Sequence, residues 1–301
     1  MRTLLLLPLL SLVACDSPCE IINGAQDDPA MQTCQFSSSL NEEGTGSFTF
    51  DDGAPVPFTL RERVPVPTSF PDGSATWNGV WVPPGAARPA SAETDSSEQV
   101  YTTAATADRY ALGMMWTGEV HLRSPAGTQT VRVADGPDEN AARLGIDDWP
   151  NRAKHLVFSP NGITLFGADT GRRVTAWNPA TGTERWTVSL PDDGGTTGVL
   201  SLAPRADGDR VAVSTARAVY VLSAVSGESL AQWAFPKTKT SVIRAEWTED
   251  GHHLAVEKSG RRVPARTVYG RDSDQSATAP PTMRTEAGYQ NPPTVFLLQV
   301  P

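Results

Sequence analysis

The chain has 301 residues, carries a formal net charge of −9 at pH 7, and contains 25 glycines and 25 prolines. An acidic chain with no basic run lacks the electrostatic footprint of a nucleic-acid binder. Gly and Pro at this level, with aromatics scattered rather than clustered, argue for many short strands joined by turns and against long helices.

The N-terminus comes first in chain order. Met1-Arg2 is a short positive start, and Thr3 to Ala14 is an apolar run. That run is shorter than the ~20 residues of a membrane-spanning helix and matches the hydrophobic region of a secretory signal, which we place at 1–14. It closes as Leu12-Val13-Ala14-Cys15, which resembles the lipobox of bacterial lipoproteins. The resemblance implies cleavage after Ala14, acylation of Cys15, and a mature chain held by lipid in the bacterial cell envelope, facing the periplasm or the exterior. Firm anchoring needs more than one acyl chain, because each buried CH₂ contributes only about 0.8 kcal/mol.

Two further cysteines follow, Cys19 and Cys34, and the rest of the chain has none. Export implies an oxidising compartment, so a Cys19–Cys34 disulfide is expected, worth roughly 3 kcal/mol for a loop of this size. Two free thiols are the alternative. No C-x-x-C pair is present, which argues against a redox site. Residues 15–46 are otherwise polar and without period, and read as a tether.

The domain at 47–301 then begins. "SFTFDD" (47–52) and "PFTLRERVPV" (57–66) alternate as strands do. The Pro/Ala/Ser-rich stretch 83–99 reads as a loop. From Val100 the text is strand, turn, strand without interruption, save for "PDENAARLGI" (137–146), a helix of at most about two turns. Residues 270–293 are poor in apolar side chains and read as a long loop insertion. "TVFLLQV" (294–300) is a final strand, either completing the last unit or pairing with N-terminal strand material.

Within 100–260 a unit repeats. "HLVFSPNGITLFGADTGRRVTAWNPATGTERWTVSL" (155–190) aligns with "VLSLAPRADGDRVAVSTARAVYVLSAVSGESLAQWAFP" (199–236), and "VIRAEWTEDGHHLAVEKSG" (242–260) begins a third copy. The turn glycines Gly162, Gly208 and Gly251 recur at roughly 45 residues, as do Gly182 and Gly227. Each unit reads as four strands, the first pair joined by an Asn-Gly or Asp-Gly hairpin whose two central residues take positive φ. Residues 101–133 and 68–85 follow the pattern less closely, with Asp108-Arg109 and Asp72-Gly73 at the turn.

A four-stranded unit of ~40–45 residues is the size of a β-propeller blade. "FSPNGITLFGADTGRRVTAWNPATGTERW" resembles WD40 and YVTN-type repeats, and "VTAWNPATGTERW" resembles the PQQ-like repeats of quinoprotein propellers. The resemblance implies an all-β fold, a β-propeller of about five or six four-stranded blades with irregular N-terminal ones. It departs from WD40 at Trp177-Asn178, where that family has Trp-Asp, and no Gly-His precedes a blade. Quinoprotein enzymes are larger and carry an adjacent-cysteine pair at the cofactor. This body has no cysteine, so the likeness extends to fold alone and no cofactor is expected. Trp177, Trp186, Trp233 and Trp247 are expected to pack between blades, with an aromatic cage or sugar platform as the alternative.

No catalytic signature emerges. His121, His155, His252 and His253 show no metal-ligand spacing, and His252 and His253 would point to opposite faces of a strand. "SFPDGSATW" (69–77) approaches the Asp-box S-x-D-x-G-x-T-W, but Asp72 and Gly73 are adjacent, so the match fails. The pairs Asp27-Asp28, Asp51-Asp52, Asp147-Asp148 and Asp192-Asp193 read as solvated turns. "DGPDEN" (135–140) has oxygen ligands for Ca²⁺ but not the EF-hand spacing. The expectation is therefore a lipid-anchored propeller that binds an envelope protein, with the loops 83–99, 134–150 and 270–293 as contact regions. A polymer-acting hydrolase or lyase is the alternative, and needs His155, Asp169, Asp209 and Glu257 to converge. Sugar or small-ligand sensing through Trp77, Trp81 and Trp149 is the third reading.

Overall fold

The computed structural model describes residues 45–48, 56–59, 69–77, 80–86, 99–133, 135, 150–192, 198–235, 242–258, 266–270, 282–286 and 294–300. The expected signal 1–14, Cys15, Cys19, Cys34 and the expected helix at 137–146 lie outside the described residues. Among the described residues all regular structure is β.

Three sheets have four antiparallel strands in chain order. The first is β5 (Val100–Ala105), β6 (Tyr110–Met114), β7 (Glu119–Ser124) and β8 (Gly127–Arg132); the second is β9 (Ala153–Phe158), β10 (Leu165–Asp169), β11 (Arg173–Asn178) and β12 (Thr183–Ser189). The third is β13 (Ser201–Pro204), β14 (Arg210–Ser214), β15 (Ala218–Ser223) and β16 (Ser229–Ala234). A fourth sheet starts with β17 (Val242–Trp247) and β18 (His253–Lys258). It is completed by the last strand, β21 (Thr294–Gln299), with Leu254 opposite Leu298 and Val256 opposite Phe296. The final strand thus joins the last unit, which decides between the two pairings open to it.

Two hairpins precede these sheets, β1 (Thr45–Phe48) with β2 (Val56–Thr59), and β3 (Ala75–Trp77) with β4 (Val80–Val82). The stretch 270–293, expected to be loop throughout, instead contains β20 (Thr282–Glu286), which pairs with β19 (Arg266–Gly270) in a separate hairpin. Ladder hydrogen bonds are made by backbone, so a segment poor in apolar residues still pairs once its partner strand is supplied.

The first strands of successive sheets lie side by side, β5 beside β9, β9 beside β13, and β13 beside β17. Sheets that meet along their first strands fan from a common axis, which is the β-propeller arrangement. The second strands show why. Each residue of β6 and of β10 is buried, whereas a strand with one solvated face alternates. Buried clusters occupy each space between sheets. Val120 and Leu122 meet Leu165 and Trp177 between the first and second. Phe166, Val174 and Trp186 meet Val211 and Tyr220 between the second and third. Trp233 meets Leu254, Val256 and Leu298 between the third and fourth.

The tryptophans also lock adjacent sheets by hydrogen bonds, Trp186 Nε1 donating to Ala224 O at 3.0 Å and Trp247 Nε1 to Ala203 O at 2.8 Å. A buried indole N–H satisfied in this way adds direction to an apolar contact. All four tryptophans of the repeats therefore pack between blades.

The turns between first and second strands differ from the expected two-residue hairpin. Ser159 N–H donates to Thr164 O at 2.8 Å and Gly162 N–H to Ser159 O at 2.8 Å, so four residues close the hairpin. Gly162 takes the positive φ of 69°. Pro160 sits where a type I turn favours proline. Arg205 to Arg210 and Thr248 to His253 repeat the same pair of backbone bonds.

Candidate functional site: the loop face

In a four-stranded antiparallel sheet the first and third connections lie at one end and the second at the other. The connection to the next sheet also leaves from that other end. Since the first strands run side by side, these ends collect into two faces. One holds the tight turns. From the other, among the described strand ends of these four sheets, leave the long connections that begin after Arg132, Ser189, Ala234 and Lys258, and the connection that enters at Val100 arrives there. The contact regions expected from sequence thus adjoin one face.

The turn face is closed by its own residues. Asp72, Asp108, Asn161, Asp207 and Asp250 each occupy the same place in a turn. Four of them accept the backbone N–H two residues on: Ser74 to Asp72 at 2.9 Å, Ile163 to Asn161 at 3.2 Å, Asp209 to Asp207 at 3.2 Å and His252 to Asp250 at 2.8 Å. Asp108 is instead tied to Thr106 Oγ1 at 3.0 Å and to the Arg109 guanidinium. Neighbouring turns also touch. A Cβ at Gly208 would meet Asn161 at 3.0 Å, and Arg205 donates to Gly251 O at 3.4 Å.

These contacts hold the turn carboxyls in the charged form. The Arg109 side chain and the Thr106 hydroxyl draw Asp108 down to about 2. Burial pushes Asp207 up, but hydrogen bonds from Arg205 and from Asp209, with the Arg205 charge, together outweigh it and leave the group at about 2. Burial likewise raises Asp72 and Asp250, and bonds from Ser74 and Tyr110, and from Thr248, His252 and His253, bring each below the usual carboxylate range.

The loop face is built by close backbone approach. Val199 N–H donates to Gly171 O, Val242 N–H to Ala216 O and Met115 N–H to Gln99 O, so each incoming chain is stitched to a turn joining second and third strands. Side chains over this frame are cationic and aromatic. The Arg152 guanidinium lies 4.7 Å from the centre of the Tyr101 ring, and Lys258 Nζ lies 5.4 Å from that of Phe235. Arg172 is paired with Asp192 and Arg244 with Glu257. Trp116 is 38% exposed and donates from Nε1 to Gln99 Oε1 at 2.6 Å.

The four residues proposed for catalysis do not form one site. His155 Nε2 lies 3.1 Å from Val199 O, Glu257 is held by Arg244, and Asp169 is buried with Asn151 Nδ2 at 2.9 Å and Arg173 N–H at 3.0 Å. Asp209 is on the opposite face, paired with Arg205. Of the ligand-sensing tryptophans, Trp81 is half-buried with Arg123 stacked on it at 3.7 Å. Trp149 and the Trp77 side chain lie outside the described residues. Among the described residues no group of three His, Cys, Asp or Glu is placed to hold a metal ion. The loop-face cations were not singled out by sequence reasoning. They fall singly within separate units, and only the fold of each strand end brings them to one surface.

No protein-family model matches the chain, and no curated protein matches it. Among solved structures it is similar to the C-terminal WD40 domain of Sif2, at 12% identity and TM-score 0.39 over 53% of this chain and 44% of that one. It is also similar to the Dos1 propeller, at 15% identity and TM-score 0.41 over 53% of this chain and 42% of that one. The chain thus spans less than half the length of either. The sheets and their shared axis define it as a β-propeller repeat protein.

Proposed function

We propose that this chain is a lipid-anchored binding protein of the bacterial cell envelope that holds a protein partner on the loop face of its propeller. One observation carries the binding role. Among the described residues, the long connections of the four sheets leave from one face, while the turns of the other are sealed by their own hydrogen bonds. Loops displayed from a rigid scaffold are where binding residues concentrate. The envelope location rests on Leu12-Val13-Ala14-Cys15.

The test uses the tagged full chain in detergent-solubilised envelope. Trp116→Ser with Arg172→Glu alters the loop face, and Ile163→Ser with Val225→Ser alters the turn face. Loss of the co-purifying partner is expected for the first pair alone. Loss with the second pair alone would overturn the assignment. Separately, Cys15→Ser is expected to move the protein from the membrane to the soluble fraction, and retention at the membrane refutes the anchor.

A further inference from the structure

The fourth sheet has three strands where the first three have four. Its last strand, β21, holds the place of a third strand. β7, β11, β15 and β21 are each six residues long, and Val120, Val174, Val219 and Val295 stand second in them, all buried. In the complete sheets a fourth strand covers the outer edge of the third. Among the described residues no strand pairs with the outer edge of β21.

The backbone shows what that edge offers. Val300 N–H donates to His252 O at 3.0 Å, so Val300 is turned toward β18. Bonded and non-bonded pairs alternate along an antiparallel ladder. Leu298 is therefore also turned toward β18, while Val295, Leu297 and Gln299 direct N–H and C=O outward. In the second sheet Leu190 N–H donates to Arg172 O at 2.9 Å, and the same alternation turns Val174 and Ala176 toward Val188 and Trp186 of β12. The outward groups of β21 thus stand where those that hold β12 stand.

The side chains of β21 follow the pattern of a covered strand. β11 and β15 each have at least four consecutive buried residues. The outer strands β12 and β16 are buried only at Trp186 and Trp233. In β21, Val295, Leu297 and Leu298 are buried. Edge strands are commonly guarded by charge or proline, and "TVFLLQ" has neither.

We infer that the outer edge of β21 takes an extended segment of a protein partner as the fourth strand of this sheet, by strand addition. Trp186 stands opposite Ala176 and Trp233 opposite Val219, the places of Leu297 and Val295 in β21. The segment that fits carries a large apolar side chain opposite one of these two and polar residues on its other face. β16 carries the neighbouring third sheet one strand further out, about 4.8 Å, so β21 is recessed beside it. A single extended segment reaches a recessed edge, whereas the rigid body of a second copy does not. The edge lies on the rim of the propeller, so this inference stands apart from the loop-face reading.

The probe is a labelled peptide of sequence Gly182–Leu190, the outer strand of the second sheet, titrated into the full chain. Binding is expected, and N-methylation at the peptide's Trp186 and Val188, whose backbone groups would meet β21, should weaken it at least about tenfold. N-methylation at Thr187 and Ser189, on the other edge, should leave it unchanged. Gln299→Pro removes an outward N–H and no bond to β18. It should weaken binding as strongly, while Gln299→Ala binds normally. The methylated peptides decide the matter if Gln299→Pro unfolds. Amide exchange gives a second reading. Leu297 and Gln299 should exchange fast in the free chain and slowly with the peptide, and Leu298 and Val300 slowly in both. No binding, equal loss with both methylated pairs, or undiminished binding by folded Gln299→Pro overturns the inference. Slow exchange of Leu297 and Gln299 in the free monomer also overturns it, since this chain then covers its own edge. Slow exchange that sets in only as the chain dimerises makes a second copy the occupant, and overturns it as well.

Discussion

The two faces of the propeller solve the same problem, how to end a strand, in different ways. On the turn face the ends are closed locally, in four of the five first turns by a glycine in the left-handed region and a carboxyl or amide that accepts the N–H two residues on, and at Asp108 by the Thr106 hydroxyl and the Arg109 guanidinium. On the loop face each end is closed by a stretch distant in sequence, as Val199 closes on Gly171 and Val242 on Ala216. A locally closed end fixes its own length, because adding a residue breaks the turn. An end closed by a distant strand constrains only the two points of contact, so the chain between them is free to vary. The difference teaches that the room for chain length and sequence to vary lies where closure is non-local.

Both faces hang on the clusters packed between sheets, and breaking one of them should weaken both faces of the sheets it joins. Trp177 is 1% exposed and packs against the Gly167 backbone, where a Cβ would sit 2.7 Å from the ring. Trp177→Ala is expected to cost about 3–5 kcal/mol, read as a shift in the denaturant midpoint with loss of amide protection at both faces. Protection lost at one face alone would show that the faces unfold separately.

Glycine substitutions come next in size and set the faces against each other. A Cβ on Gly198 would lie 1.7 Å from Gly171 O. Backbone cannot step aside as a side chain can, so Gly198→Ala is expected near the top of the roughly 1–3 kcal/mol range for overpacking. Gly162 has φ 69°, and the nearest atom to an added Cβ is 3.7 Å away. Gly162→Ala is expected to cost only the left-handed strain of about 1–2 kcal/mol. Chemical denaturation of the two variants measures the order, and a reversed order would mean that the turn face is the more tightly built.

The same division explains what could be read from sequence. "SPNG", "ADGD" and "EDGH" announced the turns because the glycine and its Asx partner are neighbours in the chain. The apolar runs flanking those turns and the tryptophans near their repeat spacing announce the blades. The loop length in those turns is not legible in sequence. Asn-Gly is also compatible with a two-residue hairpin, and only the bond from Ser159 to Thr164 shows four residues. β20 is not legible as a strand because its place opposite β19 is set by pairing and not by composition. The loop-face cations are invisible for a stronger reason. Arg152, Arg172, Arg244 and Lys258 lie in separate strings, and nothing in any one of them signals the others.

The smallest expected effects are electrostatic and differ in sign between the faces. Asp108 and Asp207 have folded values near 2, below the ordinary 3.8. A depressed carboxyl contributes stability that is complete above its unfolded value and is lost as pH falls through its folded value. The turn face should therefore weaken between about pH 4 and pH 2, and Asp207→Asn should flatten that part of the profile. At neutral pH it should cost under about 1 kcal/mol, as exposed ion pairs do. Lys258 behaves in the opposite sense. Its folded value is lowered by burial from 10.5, so the native state is penalised while the group is charged in both states. The penalty fades as pH rises through the folded value toward the unfolded one. Lys258→Met should leave the acid limb untouched, raise stability slightly at pH 7, and remove the alkaline gain. Urea midpoints across pH 2 to 10 would show it. An acid limb altered by Lys258→Met, or an alkaline gain that survives it, would mean that the two faces are not electrostatically independent.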